Sequence, residues 1–373
     1  MKLCYDGIGL SHFKNTGLYS YTFELLNRLT KLYPQAEYRL VSNKYVDANP
    51  LIIENVDFDE INLNRKENNY ELLEKYLIEN NITIYHSPNN GFSLPKKKVC
   101  KYVLTLHNLL PLSKPELVDN KYYEKFKTLV PISLERADKI IAVSEFIKGE
   151  LCTFFDIPND KISVVYPTIS KIFRPLDKEL CNTTLVDKYG IDGDFLLFTG
   201  STHERKHLDI LLMVFKEILE VYNDIKLVVA GNNRGKKNLY YLKLKDLAKE
   251  LDICDNILFI GSVDYSFMPY LYNGALCTIN ISDYEGFPIS SVESLACGTP
   301  VVCSESSSFR EVLKNSAIYV DYEDMEAFRY TLLETIDVEM KKSDLQKKNS
   351  IISQYKSDDS IRHLVSIYES IIE

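Results

Sequence analysis

Two carboxylates, Glu285 and Glu293, stand eight residues apart on either side of a Gly286-Phe287-Pro288 turn. Pro288 is expected to begin a helix and Gly298 to end it before the apolar Val301-Val302. One glutamate therefore sits at the mouth of the helix and the other two turns in. A helix start offers N–H groups and a partial positive charge, and carboxylates accept from sugar hydroxyls. The chemistry that suits this stretch is the holding of a phosphate beside a hydroxyl-rich ligand, which makes a nucleotide-sugar site the hypothesis to test.

Three other stretches carry chemistry. Thr199-Gly200-Ser201-Thr202-His203-Glu204-Arg205-Lys206-His207 leaves an apolar run and places two adjacent cations where they could pair with a diphosphate, Arg205 as a fork and Lys206 as a point charge. A solvated charge cluster at a helix start is the alternative. His107 ends the apolar run Thr105-Leu106 and could touch a sugar or an acceptor, or serve as a structural histidine bonded to local backbone. The glycine-rich segment Asp6 to Tyr19 follows the first strand but lacks the Gly-x-Gly-x-x-Gly spacing, so it reads either as a ligand-approaching turn or as a flexible loop. Asp57-Phe58-Asp59 and Asp192-Gly193-Asp194 superficially match a metal-holding acid pair, but both read as loop-like, and no metal site is expected. Motifs for serine hydrolases, zinc proteases and phosphate-loop enzymes are missing.

The elements that position these residues alternate between short β-rich runs and helical patterns, the signature of parallel sheets covered on both faces. Strands are expected at Lys2–Tyr5, Tyr38–Ser42, Ile82–His86, Tyr102–Leu106, Lys139–Val143 and Ile162–Tyr166, with helices at Gly17–Tyr33, Tyr70–Asn80, Tyr122–Arg136 and Glu145–Phe155. Pro167 to Gly193 reads as a linker. The rhythm then restarts with strands at Phe195–Thr199, Lys226–Ala230, Ile257–Ile260, Leu276–Ile281, Val301–Ser304 and Ala317–Val320, separated by helices through Leu208–Tyr222, Leu239–Leu251 and Phe267–Tyr272. Two Rossmann-like domains, 1–170 and 171–356, are expected. The helical stretch from Asp324 has no strand left to cover in its own domain, and its last part, 357–373, is expected to cross back to the first.

A length of 373 residues is too great for one ordinary core. The formal charge of −9 argues against a nucleic-acid partner. Eight scattered cysteines without a Cys-x-x-Cys pair read as reduced, buried thiols, and no apolar run approaches about 18 residues, so a cytoplasmic protein without membrane spans is expected. Lys96-Lys97-Lys98 with Lys101, and the Lys121 to Lys127 segment, could lean on an anionic surface at the inner face of a membrane; a solvated helix face is the alternative.

In this order, Thr16-Gly17-Leu18-Tyr19, His86-Ser87-Pro88-Asn89-Asn90, His107-Asn108-Leu109-Leu110-Pro111, Ala137 to Phe146, Gly200 to Lys206 and Glu285-x7-Glu293 followed by Ala296-Cys297-Gly298-Thr299-Pro300 resemble the retaining glycosyltransferases of family 4. The resemblance covers nearly the whole chain and implies the GT-B architecture, two Rossmann-like domains facing each other across a donor/acceptor cleft. It implies that Glu285 meets hydroxyls of the transferred sugar and that the backbone of Gly286, Phe287, Pro288 and Ile289 lies beside sugar and phosphates. Glu293 would accept from the ribose. Arg205 and Lys206 would hold the diphosphate with the Gly200-Ser201 loop and Thr16-Gly17, His107 would approach the donor sugar near its 6-hydroxyl, and backbone from Gly261 to Val263 would meet the base.

The activity implied is metal-independent retaining transfer of a hexose, without a cofactor, from a nucleoside-diphosphate sugar to a glycan, lipid-linked or protein acceptor of the cell surface. GDP-mannose is favoured over UDP-sugars because the Thr16 and His86 segments look most like mannosyl- or rhamnosyl-type transferases. The sequence departs from the family pattern at Pro288-Ile289-Ser290, where Gly-Leu-Pro is frequent, at Asn108, where Asp is common, and at His207, where Asn often follows the cations. The other readings are an epimerase-like reaction on the same fold and a binding protein without turnover.

Overall fold

The structure, a computed structural model, describes residues 1–43, 53–61, 71–92, 94–231, 239–341 and 349–372. By its internal contacts the chain divides into two units, Met1–Thr168 with Ser357–Glu373, and Ile169–Lys356.

The first unit runs β1 (Lys2–Asp6), α1 (Ile8–His12), α2 (Gly17–Leu32), β2 (Glu37–Ser42), β3 (Val56–Glu60), α3 (Glu71–Glu79), β4 (Ile84–Ser87), β5 (Lys101–Leu106), α4 (Leu110–Ser113), α5 (Asn120–Arg136), β6 (Lys139–Ala142), α6 (Glu145–Phe154) and β7 (Ile162–Val164). Its seven strands form one parallel sheet in the order β3-β2-β1-β4-β5-β6-β7. Past their first residues the central strands are buried, as strands covered on both faces must be, and Leu3, Ile84, Val103 and Ile141 are fully enclosed. Helix starts follow their capping residues: Asp119 accepts from Tyr122 N at 2.9 Å ahead of α5, and Ser144 accepts from Ile147 N at 3.2 Å ahead of α6.

The second unit comprises α7 (Lys178–Tyr189), β8 (Phe195–Thr199), α8 (Leu208–Leu219), β9 (Lys226–Ala230), α9 (Leu239–Glu250), β10 (Ile257–Gly261), α10 (Met268–Gly274), β11 (Cys277–Asn280), α11 (Ile289–Ala296), β12 (Val301–Ser304), α12 (Phe309–Leu313), β13 (Ile318–Val320), α13 (Met325–Lys341) and α14 (Asn349–Lys356). Its six parallel strands are ordered β10-β9-β8-β11-β12-β13. One continuous core joins Leu196 and Phe198 of β8, Leu211, Leu212 and Phe215 of α8, and Phe328, Leu332 and Ile336 of α13. The final helix, α15 (Asp359–Ser370), belongs to the first unit. There Arg28 of α2 donates to Asp358 at 2.8 Å, and the Tyr368 hydroxyl meets the Tyr5 hydroxyl at 2.9 Å.

Several expectations change. The segment 167–193 is not a plain linker: α7 occupies its second half, capped by Asp177 at 2.9 Å from Leu180 N and ended by Gly190 in the left-handed conformation, φ +65°. The glycine-rich segment after β1 contains the short helix α1, because Gly9 lets it pack against α2 where a Cβ would stand 2.5 Å from Thr22 Oγ1. Asp57 and Asp59 lie on the edge strand β3 rather than in a loop, and Asp59 accepts from Arg39 at 3.0 Å and from the Tyr76 hydroxyl. α13 does have something to cover, since it packs on α8 in the second unit, so only α15 joins the first. The expected helix from Tyr70 begins at Glu71 among the described residues, and Tyr70, like 342–348 in the C-terminal stretch, lies outside them. Of the cysteines, which are all free thiols, Cys152 and Cys254 are exposed. Among the described residues no helix is long and apolar enough to cross a membrane.

Candidate functional site

In the second unit the chain leaves β8 toward β9 and β10 on one side and returns to β11 on the other. The loops that follow β8 and β11 therefore diverge at the carboxyl ends of the strands, which opens the crevice where open α/β sheets take their ligands. Arg205 and Lys206 ride on the first loop, Glu285 on the second. The backbone ties the two loops together, Asp283 N donating to Arg205 O at 2.9 Å.

At this junction three charged side chains meet. Arg205 Nη1 donates to Glu285 Oε1 at 3.0 Å, to Ser282 Oγ at 2.9 Å and to Tyr284 O at 2.7 Å. Lys206 Nζ lies 2.6 Å from the same Glu285 oxygen and donates to Asn280 Oδ1 at 3.2 Å. Burial alone would raise the Glu285 carboxyl, but Lys206 and Arg205 outweigh it and hold the group near 2. Burial lowers the Lys206 ammonium, with Glu285 opposing and Arg205 adding to the effect. His207 closes the cation turn in the left-handed conformation at φ +47°, its ring stacked on Tyr322 with centroids 4.2 Å apart and its Nε2 3.0 Å from Asp283 Oδ1.

Glycines let the strand ends come together. Gly200, at φ +119°, follows β8, and a Cβ on Gly231, which follows β9, would stand 1.7 Å from Gly200 O. Gly231 N in turn donates to Gly261 O, the end of β10, at 2.8 Å, and Val263 is buried just beyond. Gly200 and Ser201 thus follow β8, and Gly261 and Val263 stand at and just beyond the end of β10, at the same end of the sheet with β9 between them.

The turn before α11 is more closed than a helix start read from sequence suggests. Pro288 is the capping residue, Ile289 the first helical one, and the N–H groups of Ile289 and Ser291 donate to Phe287 O at 2.9 Å and Pro288 O at 3.0 Å. Phe287 sets its ring edge-on to Tyr355 at 5.4 Å, and Glu293, 5 % exposed, accepts from the Tyr272 hydroxyl at 3.0 Å.

The remaining candidates lie in the first unit. Thr16 caps α2, whose first residue is Gly17, and its Oγ1 accepts from Tyr19 N at 3.4 Å while donating to Phe13 O at 2.6 Å. His107 follows β5, its N–H donating to Asn90 Oδ1 at 2.7 Å and its Nε2–H to Pro88 O at 2.8 Å. Burial pushes its ring down to about 4, with the Pro88 carbonyl opposing, so it is neutral near pH 7. The edge of Tyr21 packs on it with centroids 4.7 Å apart. Behind it runs a buried chain of bonds: Tyr21 hydroxyl to Thr105 Oγ1 at 3.1 Å, Thr105 to His86 Nε2 at 2.8 Å, and His86 Nδ1 to the Tyr368 hydroxyl at 2.6 Å.

Sequence models of two glycosyltransferase domains match this chain, "Glycosyltransferase Family 4" over residues 49–171 and "Glycosyl transferases group 1" over residues 184–351. The chain belongs to glycosyltransferase family 4. Among its relatives, the O-antigen chain mannosyltransferase RfbU of Salmonella typhimurium is 25% identical over 69% of this chain and 66% of its own. O-antigen chain mannosyltransferase B of Escherichia coli is 27% identical over 68% of this chain and 65% of its own. The match thus spans just under two thirds of the length of each. The solved sucrose-phosphate synthase from Thermosynechococcus elongatus superposes on 100% of this chain and 99% of its own with a TM-score of 0.81 at 16% identity, a likeness of fold. Two parallel-sheet Rossmann-like domains with GT-B neighbours are the architecture that the family resemblance implied.

Some residues of this family member's site escaped the sequence reading. Asn280 and Ser282 contact the two cations, and the run after β12 braces Glu285: its N–H donates to Ser307 Oγ at 2.8 Å and its carbonyl accepts from Ser308 Oγ at 2.7 Å. Four serines among Ser304 to Ser308, directly after an apolar strand, were the available signal.

Proposed function

We propose that this chain transfers a hexosyl group from a nucleoside-diphosphate sugar to a hydroxyl of a growing cell-surface glycan. The observation that carries this reading is the meeting of Arg205, Lys206 and Glu285 at the point where the strand order of the second sheet reverses. Two cations there are suited to a diphosphate, and the carboxylate between them is suited to sugar hydroxyls. The names of the relatives, O-antigen chain mannosyltransferases, favour GDP-mannose, with UDP-sugars next.

In this proposal Arg205 and Lys206 bind the diphosphate with the Gly200-Ser201 turn. Glu285 orients the sugar, and the backbone of Gly286, Phe287, Pro288 and Ile289 lines sugar and phosphates. Glu293 takes the ribose, and Gly261 and Val263 the base. The sugar–phosphate bond breaks as the acceptor oxygen bonds the same face of the anomeric carbon, and the acceptor proton passes to an oxygen of the departing diphosphate. Cation pairs worth about 4 kcal/mol each at an effective dielectric near 20 stabilise that developing charge, so the reaction is proposed to need neither a metal nor a cofactor. Asp59 is not offered for a metal role, being engaged with Arg39 and Tyr76.

The acceptor is proposed to be a glycan or a lipid-linked saccharide, reached from the cytoplasm. Of the two basic stretches, Lys98 pairs with Asp138 at 2.8 Å beside the C-terminal end of α5, whereas Lys121, Lys125 and Lys127 stand in its first half near the aromatic cluster of Phe92, Tyr122 and Phe126. The second group, at the helix end that follows β5 and His107, is the better membrane-contact candidate. Sedimentation with anionic vesicles, and its loss on changing these three lysines to glutamate, tests that role; no binding by the parent protein removes it.

A thermal-shift screen with GDP-, UDP-, TDP- and ADP-sugars, with and without chelator, tests the main proposal. Stabilisation by a GDP- or UDP-sugar that survives the chelator is the expected result. No shift with any donor overturns the reading, and a shift abolished by chelator overturns the metal-free mechanism.

A further inference from the structure

Asn280 is the last residue of β11 and 1 % exposed. Its amide has a defined orientation, because an ammonium only donates: Oδ1 must face Lys206 Nζ at 3.2 Å, and the NH2 group then donates to Ser291 Oγ at 2.9 Å and Ser290 Oγ at 3.3 Å. One neutral side chain thus ties the loop after β8 to the first turn of α11. Lys206 is itself only 5 % exposed. Of the three hydrogens on its ammonium, two are directed at Glu285 and Asn280 among the described residues, and bare Gly200 lies beside it, where a Cβ would stand 3.3 Å from Nζ.

We infer that Asn280 is a positioning residue of the anion site, presenting the Lys206 ammonium to a diphosphate through a neutral acceptor so that the cluster stays net positive. This rests on the proposed donor-binding role of the site. Arg205 and Lys206 less Glu285 leave one positive charge, 2 − 1 = +1. An aspartate at position 280 would hold Lys206 equally well in shape, and its oxygens could accept from the Ser290 and Ser291 hydroxyls, yet it would bring the sum to zero. A leucine would leave a buried ammonium without one of its acceptors, a costly arrangement.

Titration calorimetry with GDP and UDP, which lack the sugar and so bypass the sugar-facing role of Glu285, tests this on the purified full chain. Relative to the parent, N280D is expected to bind at least about tenfold more weakly, E285Q more tightly, and N280D/E285Q, with one positive charge restored, within about threefold. A merely structural asparagine would instead weaken binding in N280D and leave it weak in the double variant. N280D binding like the parent, or a double variant binding no more tightly than N280D, overturns the inference. If N280D fails to fold, N280L decides: with the neutral acceptor removed it should bind at least about tenfold more weakly than the parent at a matching melting temperature. Binding like the parent overturns the inference. A parent that binds neither GDP nor UDP removes the donor-site reading and this inference together, whereas a binding parent with an unaffected N280D removes this inference alone.

Discussion

Glu285 offers one carboxylate oxygen to two cations. In E285A the group proposed to face the sugar is lost, and transfer is expected to fall by about a hundredfold or more, as for other preorganised charge-stabilising groups. Released product measured beside the melting temperature checks this, since a loss of activity matched by unfolding would make the residue structural. Acid sensitivity follows from the same residue scale. Burial of His86, with His107 adding, lowers His86 from 6.5 to about 3, and burial lowers His107 to about 4, while the cations lower Glu285 from 4.5 to about 2. In each case the unfolded chain binds the proton first as pH falls, so stability rises with pH. The denaturant midpoint is expected to drop below about pH 6.5 as the histidines of the unfolded chain charge, and to drop further below about pH 4.5 as its carboxyl protonates. A flat midpoint between pH 7 and pH 4 would contradict the burial of neutral His86 and His107.

At the scale of elements, the ends of strands β8 and β9 meet through Gly200 and Gly231. Gly231→Ala is expected to displace the turn that carries Arg205 and Lys206, costing about 1–3 kcal/mol of stability and most nucleotide affinity, read by calorimetry and thermal melting. Removing a cap is milder: Asp177→Ala should lower stability by about 1 kcal/mol by uncapping α7, with nucleotide binding unchanged. Most strands were legible because runs such as Phe195–Thr199 and Val301–Ser304 are apolar up to their last residue, as strands buried on both faces tend to be. β3 was not, because an edge strand carries Asp57, Asp59 and Glu60, whose charge reads as loop until Arg39 is seen across the ladder. α7 was hidden by Pro175, although Asp177 and Gly190 marked both its ends. At the site, the cations and Glu285 could be read from their motifs, but Asn280, Ser307 and Ser308 could not. Their importance depends on β11 lying between β8 and β12, an order set by tertiary pairing rather than local pattern.

For the whole molecule, the first unit is discontinuous: it ends at Thr168 and resumes at Ser357. α15 is bound there by Arg28 to Asp358 and by the Tyr368 hydroxyl between Tyr5 and His86. Tyr368→Phe strips two buried groups of their shared partner and is expected to cost about 1–3 kcal/mol, seen as a lower melting temperature of the first unit. An unchanged melting profile would make that contact dispensable. Between Thr168 and Ser357 lie 188 residues, 169 to 356, that build the second sheet. At roughly 5–20 residues per second a ribosome needs about 10–40 s to deliver them. During that interval the seven-stranded sheet has been synthesised but still waits for the helix that covers Tyr5 and His86, while the continuous second unit can close as soon as it emerges. The half made first is therefore the one exposed longest to aggregation and to chaperones.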